Sequence, residues 1–412
     1  MRLAMISEHA SPLATLGGED SGGQNVYVAE LARRLGTMGH EVDVFTRRDD
    51  AGLPEVVPFS EGVRVVNLAA GPTRSVPKDE IFGFMPAFRD AFYRFAGEEA
   101  APYDLVHANF WMSGWVACEA KRDLGLPFAQ TFHALGEVKK REQGEADTSP
   151  PERRAAETRI VEEADRILAT CPAEVEELTT LYDADPARLS LVPCGVDGGT
   201  FRPVDRRETR RHLGLPDVPT VVYVGRLVPR KGVDTLVRAF ALLPDALGAR
   251  LVVVGGEPGP GPSPEAARLS ALADSLGVSE GVTFVGSRPQ GELRRFYGAA
   301  DVAVSVPHYE PFGMTPLEAM ACATPVVGSR VGGIKWSVAD GETGLLVPPR
   351  DQQALSESLA RLLSDGALRE RMGRAARRRV EDHFTWERVA TGAEAAFLEA
   401  ANSTTGATQT AR

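Results

Sequence analysis

The segment Glu310-Pro-Phe-Gly-Met-Thr-Pro-Leu-Glu318 places two carboxylates on either side of a glycine-containing turn. A turn that opens a helix presents backbone N–H groups and the positive end of the helix dipole to an anion. Ionised carboxylates are pure acceptors and suit the hydroxyls of a sugar. A ligand with phosphates in its middle and hydroxyl-rich rings at both ends fits that layout, and a nucleotide-sugar is such a ligand. The same residues also have a purely local reading. Thr315-Pro-Leu-Glu318 matches a capping box with proline at the first helical position, in which Glu318 only satisfies a backbone N–H. The local pattern does not choose between the two.

Arg226 and Lys231 follow an apolar strand over residues 220–224. Ligands of open parallel sheets collect at such strand ends, and fixed cations there would neutralise a diphosphate as charge builds on it. A solvated basic loop would look the same, and Arg230 competes with Lys231 for the role. His133 follows a strand over 128–132, where a lone histidine is more often structural than a general base.

These residues need elements to hold them. Apolar runs predict strands over 2–7, 41–46, 63–68, 105–107, 128–131, 167–169 and 189–192. After a Pro- and Gly-punctuated stretch, 193–219, further strands are predicted over 220–224, 251–254, 282–285, 302–306 and 325–328. Helical patterns lie between most of them. One begins near Asn25, after the glycine-rich loop 17–23, with Val28, Leu31, Leu35 and Met38 on a single face. Alternation of this kind implies parallel sheets covered by helices on both sides. The fold class expected is α/β, with two doubly wound Rossmann-like domains facing an inter-domain cleft. Their boundaries are expected at 1–198 and 199–383. A final helix over about 384–401 would return to the first domain, and 402–412 would form a disordered tail. The Pro/Gly loop 255–264 is expected to be a mobile surface connection.

Composition agrees with a globular chain of about two domains: 412 residues, 43% hydrophobic and 25% charged. No apolar run approaches the ~18 residues of a membrane span, and the start reads as a strand, not a signal peptide. Cys118, Cys171, Cys194 and Cys322 lack disulfide or zinc spacing, so a cytoplasmic setting is expected. Residues 1–195 carry 20 Lys and Arg against 32 Asp and Glu, and the remainder 26 against 25. An acidic first half is a poor surface for nucleic acid or anionic lipid.

Several motifs occur in order along the chain: Gly22-Gly-Gln-Asn-Val-Tyr-Val28, His133-Ala-Leu-Gly-Glu-Val-Lys139, Gly225-Arg-Leu-Val-Pro-Arg-Lys-Gly232, the Glu310–Glu318 segment, Gly332-Gly333 and Asp340-Gly-Glu-Thr-Gly-Leu-Leu-Val347. Together they resemble the family-4 retaining glycosyltransferases of GT-B architecture. His9-Ala-Ser-Pro-Leu-Ala14 and Tyr182-Asp-Ala-Asp-Pro186 are similar to segments of the mycothiol-pathway branch, which adds N-acetylglucosamine to inositol phosphate. Sucrose-phosphate synthases are more distant.

The resemblance implies a reaction between a nucleoside-diphosphate sugar, UDP-linked in preference to GDP- or ADP-linked, and a small hydroxyl acceptor. It implies catalytic roles for His133, Arg226, Lys231 and Glu310, with Arg226 and Lys231 on the diphosphate and Glu310 on the donor sugar. Gly23, Arg288, Phe312, Gly313, Met314, Thr315 and Glu318 would contact the donor, Glu318 through its ribose. Asn25, Lys78, Phe110, Ala134, Lys139 and Arg154 would line the acceptor site. Phe110 and Ala134 stand where the branch has tyrosine and threonine, so two hydroxyl donors to a phosphate are missing. The two missing bonds would cost on the order of 2–6 kcal/mol, which favours an unphosphorylated acceptor as the alternative. No metal and no cofactor are implied, and a homodimer is among the assemblies to expect. Two other classes compete: an NAD-dependent oxidoreductase and a nucleotide-sugar-binding protein without turnover. Gly255-Gly-Glu-Pro-Gly259 lacks the dinucleotide glycine order, which weighs against the first. His133 and Glu310 are both present, which weighs against the second.

Overall fold

The computed structural model describes residues 1–14, 22–256 and 263–409. Most of the glycine-rich loop 17–23 and of the Pro/Gly loop 255–264 lies outside them. The chain divides into two compact units: one runs to Pro193 and resumes at Trp386, and the other covers Cys194–Thr385.

The first unit is built on an eight-stranded sheet of order β3-β4-β2-β1-β5-β6-β7-β8. Its strands are β1 Arg2–Ile6, β2 Glu41–Arg47, β3 Val56–Ser60, β4 Val63–Leu68, β5 Leu105–Asn109, β6 Phe128–Thr131, β7 Arg166–Ala169 and β8 Leu189–Leu191. All neighbours pair in parallel except β3 with β4. The second unit has a six-stranded parallel sheet of order β11-β10-β9-β12-β13-β14. These strands are β9 Thr220–Val224, β10 Arg250–Val254, β11 Val282–Gly286, β12 Val302–Ser305, β13 Val326–Ser329 and β14 Gly344–Val347.

Every strand predicted from an apolar run is present, because central parallel strands are buried on both faces and read as unbroken hydrophobic segments. In β9 all five residues are buried. Two strands had no such signature. β3 holds Pro58, which an edge strand tolerates because its N–H side can face outward. β14 begins at Gly344, and a Cβ there would lie 2.2 Å from the Val326 carbonyl oxygen, so only glycine lets β14 approach β13.

The order of strands decides where chemistry can sit. In the first sheet the connections diverge from β1 toward β2 and β5, and in the second from β9 toward β10 and β12. Loops leaving the carboxyl ends of such a strand pair separate and leave a crevice there. Glu8 and His9 follow β1, and Phe110 follows β5. The segment from Gly225 to Lys231 follows β9, and Glu310 follows β12.

Three helical expectations need correction. The helix Gly23–Thr37 buries Val28, Leu31 and Leu35, but Met38 is its C-cap and is exposed. The final helix, Trp386–Gln409, continues through much of the segment expected to be disordered, leaving only residues 410–412 outside the described chain. Each added residue of an existing helix gains one hydrogen bond, which offsets the weak propensity of Ser and Thr. The helix expected to start at Pro316 begins two residues earlier, at Met314, with Gly313 as N-cap and no side-chain capping bond. The capping-box reading of Glu318 therefore fails.

The final helix completes the first unit. Val389, Ala390, Ala393, Ala396, Phe397 and Ala400 form its buried stripe. Phe397 packs 4.9 Å from the ring of His107, and Trp386 lies 6.0 Å from Tyr27. His40 and Glu394 pair at 2.8 Å, and Arg34 and Glu387 at 2.9 Å, along the rim. Full burial of a phenylalanine is worth about 1.5–3 kcal/mol, more than an exposed ion pair supplies.

Gly232 joins β9 to the helix Val233–Ala241 at φ 68°, and a Cβ there would lie 2.1 Å from the Val306 carbonyl oxygen. Gly232→Ala is expected to lower stability by about 1–3 kcal/mol, seen as a depressed thermal midpoint. A midpoint equal to the parent's would show that the two loops do not need this close approach.

Candidate active site

In the second unit, four charged residues converge at the ends of β9 and β12. The Lys231 ammonium donates to Glu310 Oε2, and an Arg230 guanidinium nitrogen lies 3.8 Å from the same oxygen. Arg226 adds its field: the Glu310 carboxyl, pushed up by burial, is held below the usual range by Lys231, then Arg230, then Arg226. Burial lowers the Lys231 ammonium, with Glu310 working against it. The Tyr223 hydroxyl donates to the Arg226 carbonyl at 2.9 Å and fixes the turn of the loop. Three cations thus surround Glu310, and Arg230 is one of them.

Glycines hold Glu310 from behind. A Cβ on Gly332 would lie 1.8 Å from the Glu310 carbonyl oxygen, and one on Gly333 2.5 Å from that of Phe312. The Gly333 N–H donates to the Pro311 carbonyl at 3.0 Å. The Gly-Gly motif therefore serves close backbone packing. Phe312 is buried, with its ring against Trp336 and Phe384, so only its backbone is available to a ligand.

Glu318 is buried on the helix Met314–Ala321 and accepts a hydrogen bond from the Tyr297 hydroxyl at 2.7 Å. Burial pushes its carboxyl up to about 7, against the lowering effect of Tyr297. Tyr297 in turn feels Tyr223, which connects this carboxylate to the loop carrying Arg226. Arg288 is exposed in the loop after β11 and donates to the neighbouring Ser287 carbonyl at 2.8 Å. β11 is the edge strand, and no described contact joins Arg288 to Glu310 or Glu318.

In the first unit the corresponding crevice is lined by β1, β5 and β6. His133 adopts φ 59°, and its Nε2–H donates to Asn109 Oδ1 at 3.0 Å, with the ring edge-on to Tyr27. Burial pushes its imidazole down to about 3, with His107 and His9 adding to the effect. A neutral ring suits hydrogen bonding, not ionic attraction. Gly23 is exposed at the start of its helix. Asn25 is buried, accepting from the Gly22 N–H at 2.9 Å and donating to the Ser11 carbonyl at 3.0 Å, so its amide is committed to the local backbone.

Phe110 is the hub of this crevice. Its backbone, at φ 81° and ψ 164°, occupies a region that costs a non-glycine residue about 1–3 kcal/mol. Lys78 Nζ lies 5.6 Å from its ring centre, the Arg153 guanidinium 5.1 Å, and His9 meets it edge-on at 5.0 Å. Arg153 also donates to the Ala134 carbonyl at 2.7 Å and pairs with Glu157 at 2.8 Å. Lys139 pairs with Asp147 at 2.9 Å and reaches Ser149, which Arg153 also contacts.

Arg154 lies apart from this cluster. Its guanidinium stacks over Tyr182, pairs with Glu137 at 3.1 Å and donates to the Leu181 carbonyl. Consecutive helical residues project about 100° apart, so only one of the two arginines can face Phe110, and it is Arg153. The spacing Arg153 to Glu157, one helical turn, was the available sign. A second omission is Glu8. It is fully buried, takes the Ser113 hydroxyl on one oxygen and His9 Nδ1–H on the other at 2.6 Å, and so fixes the ring beside Phe110.

The raised carboxyl of Glu318 has a definite consequence for stability. Between the usual carboxylate range and about pH 7 the folded protein holds a proton there that the unfolded chain releases. Stability from this group is full at low pH and is lost as pH rises through about 7. Glu318→Gln is expected to raise the thermal midpoint at pH 8 relative to the parent and to do so less at pH 5. Equal effects at both values would refute the assignment.

The first half of the chain, residues 22–195, matches the glycosyl transferase 4-like domain, and residues 205–379 match glycosyl transferases group 1. The chain is 42% identical to a D-inositol 3-phosphate glycosyltransferase of Acidothermus cellulolyticus, over 99% of this chain and 92% of that one. The structure is similar to sucrose-phosphate synthase from Thermosynechococcus elongatus, with TM-score 0.89, 38% identity and coverage of 97% and 98%. Anabaena HepE, solved with UDP-glucose, shares the fold at TM-score 0.76 and 20% identity, covering 96% and 99%. Two doubly wound units of this kind are the GT-B architecture. By sequence, by fold and by the ordered motifs, the chain belongs to the family-4, group 1 glycosyltransferases.

Proposed function

We propose that this enzyme is a retaining transferase moving a sugar from a nucleoside diphosphate, UDP in the first instance, to a hydroxyl of a small phosphorylated polyol. The observation that carries the donor half is the Lys231–Glu310 pair beside Arg226 at the end of β9. Arg226 and Lys231 take the diphosphate, Glu310 the hydroxyls of the sugar, and Glu318 the ribose. The N–H groups of Gly313, Met314 and Thr315 stand at a helix start, where an anion is stabilised.

In this reading the acceptor oxygen attacks the sugar carbon on the face that the diphosphate leaves. The acceptor proton passes to the departing phosphate, so no protein nucleophile is needed. Charge grows on the diphosphate as the bond breaks, and cations already in place stabilise it without reorganisation. His133 contributes as a neutral hydrogen-bonding group.

For the acceptor, Lys78 and Arg153 meeting at Phe110 support an anionic compound. The name of the 42% identical relative, a D-inositol 3-phosphate glycosyltransferase, points the same way. The alternative, an unphosphorylated hydroxyl compound, is favoured by Phe110 and Ala134, which offer no hydroxyl. A cytoplasmic site of action agrees with four buried, free cysteines, and no described helix is long and apolar enough to cross a membrane.

Thermal shift against a panel of UDP-, GDP- and ADP-sugars tests the donor, followed by mass spectrometry of reactions with inositol phosphates. A UDP-sugar should stabilise the protein and yield a glycosylated phosphate; no shift with any member would end the proposal. Lys231→Ala should lower kcat/KM by about 10²–10³-fold while keeping the parent's far-ultraviolet spectrum, and near-parental turnover would remove Lys231 from the diphosphate site. Phe110→Tyr with Ala134→Thr should lower KM for inositol phosphate. An unchanged KM would favour the unphosphorylated acceptor.

A further inference from the structure

Arg230 has an arrangement that the donor-site roles leave unexplained. One of its guanidinium nitrogens is buried and makes no hydrogen bond, although it lies only 3.8 Å from Glu310 Oε2. The guanidinium is held over the Tyr309 ring at 5.4 Å, and the Arg230 carbonyl accepts the His308 N–H at 2.8 Å. The side chain is therefore anchored beside the carboxylate, just beyond bonding distance. The oxygen it faces is the one that Lys231 occupies.

That geometry matters once Lys231 has another task. A lysine has one ammonium, and in the donor reading it must turn to the diphosphate. Glu310, with its side chain only 12% exposed, would then be a largely buried carboxylate that has lost its closest counter-ion, a costly state unless a second cation takes over. We propose that Arg230 is a positioning residue, the reserve counter-ion of Glu310, which closes on the carboxylate when Lys231 turns to the donor diphosphate. Its fork can hold one carboxylate oxygen while Glu310 keeps the other for a sugar hydroxyl. The hand-over rests on the donor reading given above, whereas the reserve pairing does not.

Among the described residues, the titratable groups acting on Glu310 are Lys231, Arg230 and Arg226 from the loop after β9 and Tyr223 from β9 itself. This small set makes a ligand-free test feasible. In Lys231→Ala, Arg230 should take the carboxylate and keep it ionised. In Lys231→Ala with Arg230→Met, Arg226 is the cation left acting on Glu310 among the described residues, and Glu310 should bind a proton when folded. The thermal midpoint of the double variant should therefore fall as pH rises from 5 to 8, more steeply than that of Lys231→Ala. Glu318 titrates in both and cancels in the difference. Parallel pH curves overturn the proposal.

With donor present, Arg230→Met alone should raise the donor KM about tenfold at pH 8 and less at pH 6. A rise that is the same at both pH values also overturns it. If the parent protein binds no nucleotide-sugar, the donor reading fails, and the ligand-free comparison still decides whether Arg230 is the reserve partner.

Discussion

A carboxylate largely removed from water needs a cation within reach, and at the ends of β9 and β12 this constraint falls on Glu310. Its position is dictated by backbone, because glycines at 332 and 333 let two loops meet where any side chain would collide. Its charge is dictated by the loop after β9, which brings Lys231, Arg230 and Arg226 around it. Strand order brings the two loops together: β9 and β12 are neighbours whose connections leave in opposite directions. The charge cluster around Glu310 is thus a consequence of sheet topology, loop glycines and one ion pair, in that order.

The same logic operates in the first unit with different materials. There the crevice between the ends of β1 and β5 is organised by Phe110, an aromatic residue in a strained backbone conformation. Two cations and a histidine converge on its ring, and buried Glu8 sets the orientation of that histidine. Strain of this kind persists only where surrounding structure over-determines it. Here the Phe110 N–H is bonded to the Thr131 carbonyl, and its own carbonyl to Gln130.

Central strands were legible in the sequence because double-sided burial leaves continuous apolar runs, as in β9. The edge strand β3 was not, since Pro58 contradicts strand propensity and is tolerated only at an edge. That Arg226 and Lys231 follow a strand could be expected from the apolar run before them. The status of Arg230 could not, because spacing along the chain carries no information on which cation faces a distant carboxylate. Arg153 and Arg154 show the limit most clearly. Adjacent residues of one type are interchangeable in a motif, yet a helix turns them to different sides, and only the pairing with Glu157 separates them. Glu318 was ambiguous for a related reason: its local pattern fits a cap, while the contact that decides its role comes from Tyr297 on another helix.

The return of the helix Trp386–Gln409 to the first unit makes that unit discontinuous along the chain. On the ribosome, the first sheet emerges early but lacks the apolar stripe that covers His107 and Tyr27 until residues 386–400 are made. All six strands of the second unit emerge before that helix. Vectorial synthesis therefore makes the inserted sheet available before the helix that covers its host, although amino-terminal domains generally fold first.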